Sequence, residues 1–493
     1  MAEHLISWED AETDLLSCAA YLAERIKSRD GHAVAMAAVI PRYLAKGKVD
    51  LAAELANKID DPFTRDRLLT AVADKCAELD DDDYALQLVE TVEEPSLRSE
   101  AFERIGIKKA EKHQFEKAFE IAAEMEHPDF VLASIAARQA SSDGPTANAT
   151  LKRIEFANAR VHALLEISLA ENAEKVVSYL ERAAETAVEI EHDEERIRAF
   201  VEIGNQFTHA KRNDRAIETF DKAKRYAEVL DNIHRDNFLA AVAAGFARAG
   251  SIDLADRALD LVTDKTQIAS AMLAYSQTFW QKGERDEALE ALEEALQVLR
   301  SQREIETRSN RAKQTLFATI AAQFAGFEKS ERAIEIASEI EDDEQKTAAL
   351  TRVAEILTFR NEDAHARQAF TAIGEDSARA LALIKMSDAK EESGAREIAR
   401  TLLDESFHLA ETVPQMASRS SAYNEIARRF AGWGEKEKAE EVARMNLQTV
   451  AAIRDESSRV AALADIAELV ETENFQLNDE NKSTIATILG LGR

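Results

Sequence analysis

Apolar and polar residues alternate along most of the chain with the period of an amphipathic helix. Residues 197–226 show the pattern most clearly, as two helical segments joined by a short polar turn. The apolar positions are Phe200, Ile203, Gly204 and Phe207 in the first segment, and Ala216, Phe220 and Ala223 in the second. A hairpin of this kind cannot bury its apolar face alone, so the pattern predicts a stack of similar hairpins.

A turn residue followed five positions later by alanine marks the hairpins along the chain. We expect the turn residue to have a positive φ, which Gly and Asn adopt most easily. We expect the alanine where two helices cross, because a larger side chain would push them apart. The pairs are Gly47 and Ala52, Asp80 and Ala85, His113 and Ala118, Lys211 and Ala216, Gly250 and Ala255, Gly283 and Ala288, Glu328 and Ala333, Asn361 and Ala366, Gly394 and Ala399, and Gly434 and Ala439.

The spacing of these alanines indicates a regular repeat. Ala52, Ala85 and Ala118 are equally spaced, and the same interval separates Pro62, Pro95 and Pro128. Each of these intervals is 33 residues, the typical length of one helical hairpin in a repeat protein. Three intervals are longer by about two or three helical turns, namely 216–255, 288–333 and 399–439. Because the helical pattern continues through them, we interpret them as elongated second helices, the longest running from Glu287 to about residue 308.

These patterns divide the chain into three parts. Residues 1–30 are predicted to form an N-terminal capping helix that is continuous from about Trp8 to Lys27. Residues 31–470 are predicted to form the repeat array, and residues 471–493 are predicted to form a C-terminal capping segment. Within the array, 129–195 is the least regular stretch and a candidate for a bend. Its residues 141–150 predict a loop, and the polar residues 478–483 predict a break before a last short helix.

The hairpin at 197–226 resembles the tetratricopeptide repeat family. Its aromatic, Ile-Gly and alanine positions stand where that family places its large, Leu-Gly and Ala–aromatic–Ala residues. The resemblance covers about residues 31–470, although the period is often one residue shorter than the family's and the signature Trp is missing. It implies an all-α fold: a right-handed superhelical solenoid of about twelve antiparallel helix–turn–helix repeats, with a related α-solenoid as the structural alternative.

The resemblance also implies that the first helices line a concave groove that holds a peptide or helix of a partner protein. We expect Trp280 to anchor a partner, with packing between repeats as the alternative role. Asn205 and Asn424 are the expected hydrogen-bonding groups for a peptide backbone, with plain solvation as the alternative. The predicted groove residues are Asn205, His209, Asn237, Arg248, Gln277, Trp280, Gln281, Asn424 and Arg428.

The formal charge of −31 narrows the choice of partner. Nucleic acid and anionic membranes are disfavoured because both require basic surfaces. The charge is compatible with simple solubility, with a basic partner or with a high-salt cytoplasm. The acidic N-terminal stretch has no apolar signal core, and the two cysteines form no disulfide framework, so a cytoplasmic location is expected.

The sequence has no motif for catalysis or cofactor binding. It has no HExxH pair, no phosphate-binding glycine loop and no nucleophile elbow. We therefore expect neither enzymatic activity nor a cofactor or metal. The leading hypothesis is a protein-interaction scaffold. The alternatives are a structural protein that self-associates, and a ligand-responsive sensor whose effector is a separate protein.

Overall fold

The computed structural model describes residues 4–141, 143–170, 173–301, 307–475 and 478–490. These residues form 28 α-helices and one short 3₁₀ helix, without strands. The helices alternate as first and second members of twelve successive pairs, α3–α4 to α25–α26, within the described residues. The predicted all-α helical-repeat fold of about twelve hairpins is therefore confirmed.

The chain divides into two compact units. Unit 1 comprises Met1–Phe102 and Ala354–Arg493, and unit 2 comprises Glu103–Val353. Two helices, α7 (Pro95–Glu111) and α21 (Asp343–Phe359), contain the boundaries. The other helices of unit 1 are α1 (Trp8–Thr13), α2 (Leu15–Ala23), α3 (Arg29–Ala45), α4 (Val49–Asn57), α5 (Pro62–Glu78), α6 (Asp82–Thr91), α22 (Asp363–Thr371), α23 (Asp376–Glu392), α24 (Arg396–Thr412), α25 (Met416–Gly432), α26 (Lys436–Ala451), α27 (Glu456–Thr472) and α28 (Asp479–Ile488).

Unit 2 contains the remaining helices and a 3₁₀ turn at Ala187–Glu189. They are α8 (Phe115–Glu124), α9 (Asp129–Ala140), α10 (Gly144–Leu151), α11 (Ala157–Ala170), α12 (Ala173–Thr186), α13 (Asp193–His209), α14 (Asn213–Glu228), α15 (Arg235–Arg248), α16 (Ile252–Leu259), α17 (Lys265–Lys282), α18 (Arg285–Arg300), α19 (Thr307–Gly326) and α20 (Ser330–Glu339). The predicted boundaries at residues 30 and 470 stay predictions.

The turn-and-alanine rule is confirmed at every predicted pair. All ten turn residues have positive φ, between 58° and 88°. All ten alanines are fully buried. His113, Lys211 and Glu328 show that the repeat requires the left-handed conformation even where no glycine relieves its strain.

The elongated second helices are also confirmed. Helices α14, α18 and α24 have 16, 16 and 17 residues, against 8 to 10 for α4, α6, α8, α16, α20 and α22. The predicted end of α18 near residue 308 was wrong, because α18 ends at Arg300 and Thr307 already begins α19. Residues 302–306 lie outside the described residues.

Three local predictions were wrong, all where a polar residue starts a helix. The N-terminal segment is two helices rather than one, because Asp14 is extended and its side chain accepts the N–H of Ser17. Residues 144–151 are helical rather than a loop, since Asp143 accepts the N–H of Thr146 and Pro145 lies in the first turn. The supposed break at 478–483 is the first turn of α28, where Asn478 and Asn481 form a reciprocal capping box.

Arginine side chains join successive repeats at their junctions. In each case the guanidinium donates to a backbone carbonyl six positions earlier, at the end of the preceding second helix. The pairs are Arg98 with Val92, Arg160 with Ile154, Arg196 with Ile190, Arg379 with Ile373, Arg419 with Val413, and Arg459 with Ile453. The last carbonyls of a helix have no partner within that helix, so the arginines act as C-terminal caps.

We expect Arg196→Ala to lower the free energy of unfolding by about 1.5–3 kcal/mol, the range for a charge-assisted hydrogen bond. Arg196 is largely buried, and its Nε donates to the Ile190 carbonyl at 2.8 Å. Arg198→Ala is the control, because this neighbour is exposed and contacts only Glu194 among the described carboxylates, at 3.6 Å. Urea denaturation followed by circular dichroism measures both. Equal losses would show that the carbonyl contact is not stabilising.

Candidate partner-binding face

The first helices of unit 2 pack in sequence, with α15 between α13 and α17, and α17 against α19. Each of them buries one stripe against its second helix, as Phe200, Ile203 and Phe207 do in α13. The positions six and nine before each turn residue lie beside that stripe. A partner lying across successive first helices would reach only those of these positions that are exposed.

In α15, α17 and α19 these positions carry no charge. We call them the neutral face: Ala241, Ala244, Ala274, Gln277, Thr319 and Ala322. Gln277 and Thr319 are exposed, Ala241, Ala274 and Ala322 are half-buried, and Ala244 is buried. An uncharged strip with small side chains contrasts with the −31 charge of the whole chain. Small residues allow the main chain of a bound segment to approach the helices closely.

Two predicted groove residues meet at one side of the neutral face. The Nη2 of Arg248 donates to Oδ1 of Asn205 at 2.8 Å, which links α15 to α13. Partial burial of the guanidinium lowers the pKa of Arg248, and the nearby Glu202 carboxylate opposes that shift. The Asn205 amide NH₂ donates no hydrogen bond among the described residues, so this group can donate to a ligand.

The other predicted residues of unit 2 have different environments. His209, Asn237, Gln277 and Gln281 are exposed, and Gln277 belongs to the neutral face. Asn237 lies in the first turn of α15, at the opposite end from Arg248. Their role in binding stays a prediction.

Trp280 is held by neighbours within unit 2. Its ring stacks on Phe327 with centroids 3.9 Å apart and an angle of 9° between planes. The guanidinium carbon of Arg285 lies 3.5 Å from the Trp280 centroid. These contacts match the alternative role stated for this residue, packing between repeats.

We expect Trp280→Ala to destabilise the protein by about 1–3 kcal/mol, from the lost aromatic stacking and cation–π contact. Trp280→Phe should retain most of that stability, because a second ring still stacks on Phe327. Thermal unfolding of the two variants distinguishes these outcomes. An unchanged melting temperature for Trp280→Ala would show that the stacking and cation–π contacts of the Trp280 ring do not stabilise the protein.

Asn424 and Arg428 belong to unit 1, where the equivalent positions of α23, α25 and α27 carry charge. Asn424 is buried, and its Oδ1 has no hydrogen-bond partner among the described residues. Arg428 reaches Glu468 of α27 at 3.4 Å. The neighbouring Arg429 binds both oxygens of Asp388 in α23 at 3.1 Å. Charges on this face of unit 1 therefore neutralise one another, whereas the neutral face carries none.

A cavity of about 480 Å³ lies in unit 2 at the junction of α8 and α9. Its lining includes His127, Asp129 and Phe156. Asp129 accepts the N–H groups of Glu155 and Phe156, at 3.2 and 2.6 Å, so the carboxylate holds the junction before α11. No cluster of metal-ligating side chains occurs among the described residues, and none of the described helices is long and apolar enough to span a membrane.

No family model matches the sequence, and the search of curated proteins finds no relative. Solved structures give three comparisons. Ton1535 from Thermococcus onnurineus NA1 has 15% identity and a TM-score of 0.26 over 70% of this chain and 97% of that one. The apo quorum sensor NprR from B. thuringiensis has 11% identity and a TM-score of 0.25 over 71% and 98%. A structure of Naa15/Naa10 bound to HypK-THB has 11% identity and a TM-score of 0.25 over 98% of both chains. At TM-scores this low, the helical-repeat assignment rests on the helices of this chain.

Proposed function

We propose that this protein is a non-catalytic helical-repeat scaffold that binds a peptide or helix of a partner protein. The observation that carries the proposal is the neutral face, an uncharged strip across three successive first helices of a strongly acidic chain. The resemblance of 197–226 to tetratricopeptide repeats supports it, because first helices bind ligands in that family. Membership of that family is part of the proposal.

The chemistry of the face defines the partner. The alanines at 241, 274 and 322 leave room for small or apolar side chains, and Gln277 can exchange hydrogen bonds with a peptide backbone. The amide NH₂ of Asn205 adds a donor at the edge. Since the rest of the chain is acidic, basic residues flanking the bound segment would strengthen association through long-range attraction.

Binding is tested with peptides selected from a displayed library against the full-length protein. We expect Gln277→Arg with Thr319→Arg to weaken the selected peptides by about tenfold or more, equal to about 1.4 kcal/mol. Both positions are exposed, so the fold should tolerate the change. Isothermal titration calorimetry measures the Kd of each variant.

The matched control places the same charges on the second helices of the same two repeats. Gln297 of α18 and Ser338 of α20 are exposed, and Gln297→Arg with Ser338→Arg should leave the Kd within about twofold. Equal affinity for wild type and the Gln277→Arg, Thr319→Arg protein would contradict the proposal. Substitution of Trp280 does not test binding separately, because it also removes packing within unit 2.

A further inference from the structure

The last helices of the chain depart from the repeat pattern. The turn residue after α27, Asn474, has the expected positive φ of 52°, but the fully exposed Asp479 stands five positions later in place of a buried alanine. It is α2 that packs along α27, while α28 packs on α26 and α1. Ala19 of α2 is fully buried and precedes Ala52 by the repeat interval, so α2 acts as the second helix of α27.

A cavity of about 170 Å³ lies where α2, α26, α27 and α28 meet in unit 1. Most of its lining is apolar, and most of these apolar side chains are buried. They are Leu15, Ala443, Leu447, Ile466, Val470 and Phe475. An apolar protein cavity of roughly 150 Å³ is large enough to bind benzene. The cavity can therefore hold an apolar group of about the size of a leucine side chain.

Two opposite charges line the same cavity, one helical turn apart on α26. Glu440 is half-buried and Arg444 is exposed, so both lie towards its mouth. An acid four residues before a base on a helix is the spacing that favours an ion pair. Among the residues that the structure describes, however, neither side chain has an ion-pair or hydrogen-bond partner. Both charges are thus available to a ligand.

Asn481 of α28 adds a buried hydrogen-bond donor to the lining. This residue is only 4% exposed. Its Oδ1 accepts the N–H of Asn478 at 2.9 Å, whereas its amide NH₂ donates to no acceptor in the described part of the chain. Burying a donor without an acceptor costs free energy, so a ligand oxygen beside this NH₂ is favoured.

We propose that this cavity, here called the α26–α28 pocket, binds a free apolar α-amino acid of about the size of leucine. The apolar side chain enters the cavity. The α-carboxylate accepts hydrogen bonds from the guanidinium of Arg444 and the amide NH₂ of Asn481, and the α-ammonium pairs with the carboxylate of Glu440. Each unpaired group of the lining then has a partner of the opposite kind on one small molecule.

Charge distinguishes this ligand from simpler apolar ones. A carboxylic acid without an amino group leaves Glu440 unpaired, and as an anion it is repelled by a chain of formal charge −31. An amine without a carboxylate leaves Arg444 and Asn481 unpaired. A zwitterion satisfies all three groups and carries no net charge to be repelled. The proposal is independent of the neutral face, which belongs to unit 2, and goes beyond the proposed function.

The test measures the Kd of four small molecules for the full-length protein by ligand-observed NMR titration. L-leucine should bind with a Kd below about 1 mM. Glycine lacks the apolar side chain, isocaproate is leucine without its amino group, and L-leucinamide lacks the carboxylate. Each should bind about tenfold or more weakly than L-leucine, because each loses one of the three contacts.

Two substitutions assign the charged contacts. Glu440→Gln should weaken L-leucine about tenfold and leave isocaproate unchanged, because isocaproate has no ammonium group. Arg444→Gln should weaken L-leucine by a similar factor and leave L-leucinamide unchanged. The matched controls are Glu441→Gln and Arg454→Gln, which remove the same charges from exposed neighbours that do not line the pocket. Each control should keep the Kd for L-leucine within about twofold.

Three results would overturn the proposal. A Kd for L-leucine above about 1 mM would mean that the α26–α28 pocket is not an amino-acid site. Equal affinity for L-leucine and any of the three analogues would mean that the missing group is not recognised. Equal weakening by a substitution and its matched control would mean that the charge acts at long range rather than through contact in the pocket.

Discussion

Replacing Phe220 by Ala is expected to lower the free energy of unfolding by about 3–5 kcal/mol, as for other buried Phe→Ala substitutions. The ring of Phe220 is fully buried between α13 and α15 and contacts Phe246 edge-on, with centroids 5.8 Å apart. Two glycines make room for it. A Cβ added at Gly204 would lie 2.6 Å from Phe220 Cε1, and one added at Gly245 would lie 2.4 Å from the same atom. Urea denaturation measures the loss.

The same contact predicts how substitutions combine. Gly245→Ala should cost about 1–3 kcal/mol by overpacking. Gly245→Ala should destabilise the Phe220→Leu protein less than it destabilises the wild type, because leucine leaves room for the added methyl group. The coupling free energy between the two substitutions should be about 0.5–3 kcal/mol. Gly326→Ala is the control, since an added Cβ there meets nothing within 4 Å. Strictly additive losses would show that the ring and the glycines do not compete for one space.

Asp66→Ala is expected to cost about 3–5 kcal/mol, the range for removing one member of a buried charged contact. The Asp66 carboxylate is 1% exposed and accepts the N–H groups of Glu93 and Glu94 at 2.9 and 2.8 Å. Its other oxygen accepts a hydrogen bond from Arg65 at 3.0 Å. Removing the carboxylate leaves two backbone donors and one guanidinium without this acceptor.

Asp66→Asn should cost less than Asp66→Ala, because the amide keeps one acceptor oxygen for the two N–H groups. Glu90→Ala is the control in the same repeat, since Glu90 is exposed in the last turn of α6. Chemical denaturation of the three variants gives the order. A cost of Asp66→Ala as small as that of Glu90→Ala would contradict the junction role assigned to this carboxylate.

The junctions show which contacts the sequence made predictable. Asp129 and Asp236 repeat the role of Asp66, each accepting two N–H groups from the turn before the next first helix. The arginine caps recur six positions after an apolar residue, a spacing present in the sequence. Neither pattern was among the predictions. Both could have been found by aligning the junctions, as the alanines and prolines were.

The candidate site was less predictable than the repeats. Asn205 and Arg248 were both predicted, but their mutual hydrogen bond joins neighbouring repeats and depends on how α13 packs on α15. The stacking of Trp280 on Phe327 also depends on packing between repeats, because Phe327 comes directly after α19, the first helix of the next repeat. Asn424 is buried although its helical position suggested the surface. Which side chains meet across repeats depends on packing distances that periodicity does not specify.

The sequence by itself determined the repeat. A left-handed turn residue and a small alanine are local requirements of a tight helical hairpin. They therefore recur at fixed spacing, and each hairpin can be recognised from its own sequence. Only the tertiary structure decided that α27 takes α2 as its second helix. Ala19 obeys the repeat spacing, but the identity of its partner depends on which distant apolar face lies uncovered beside it. Long-range pairing of this kind leaves no local signature, because any second helix of suitable shape and charge satisfies the same local rule.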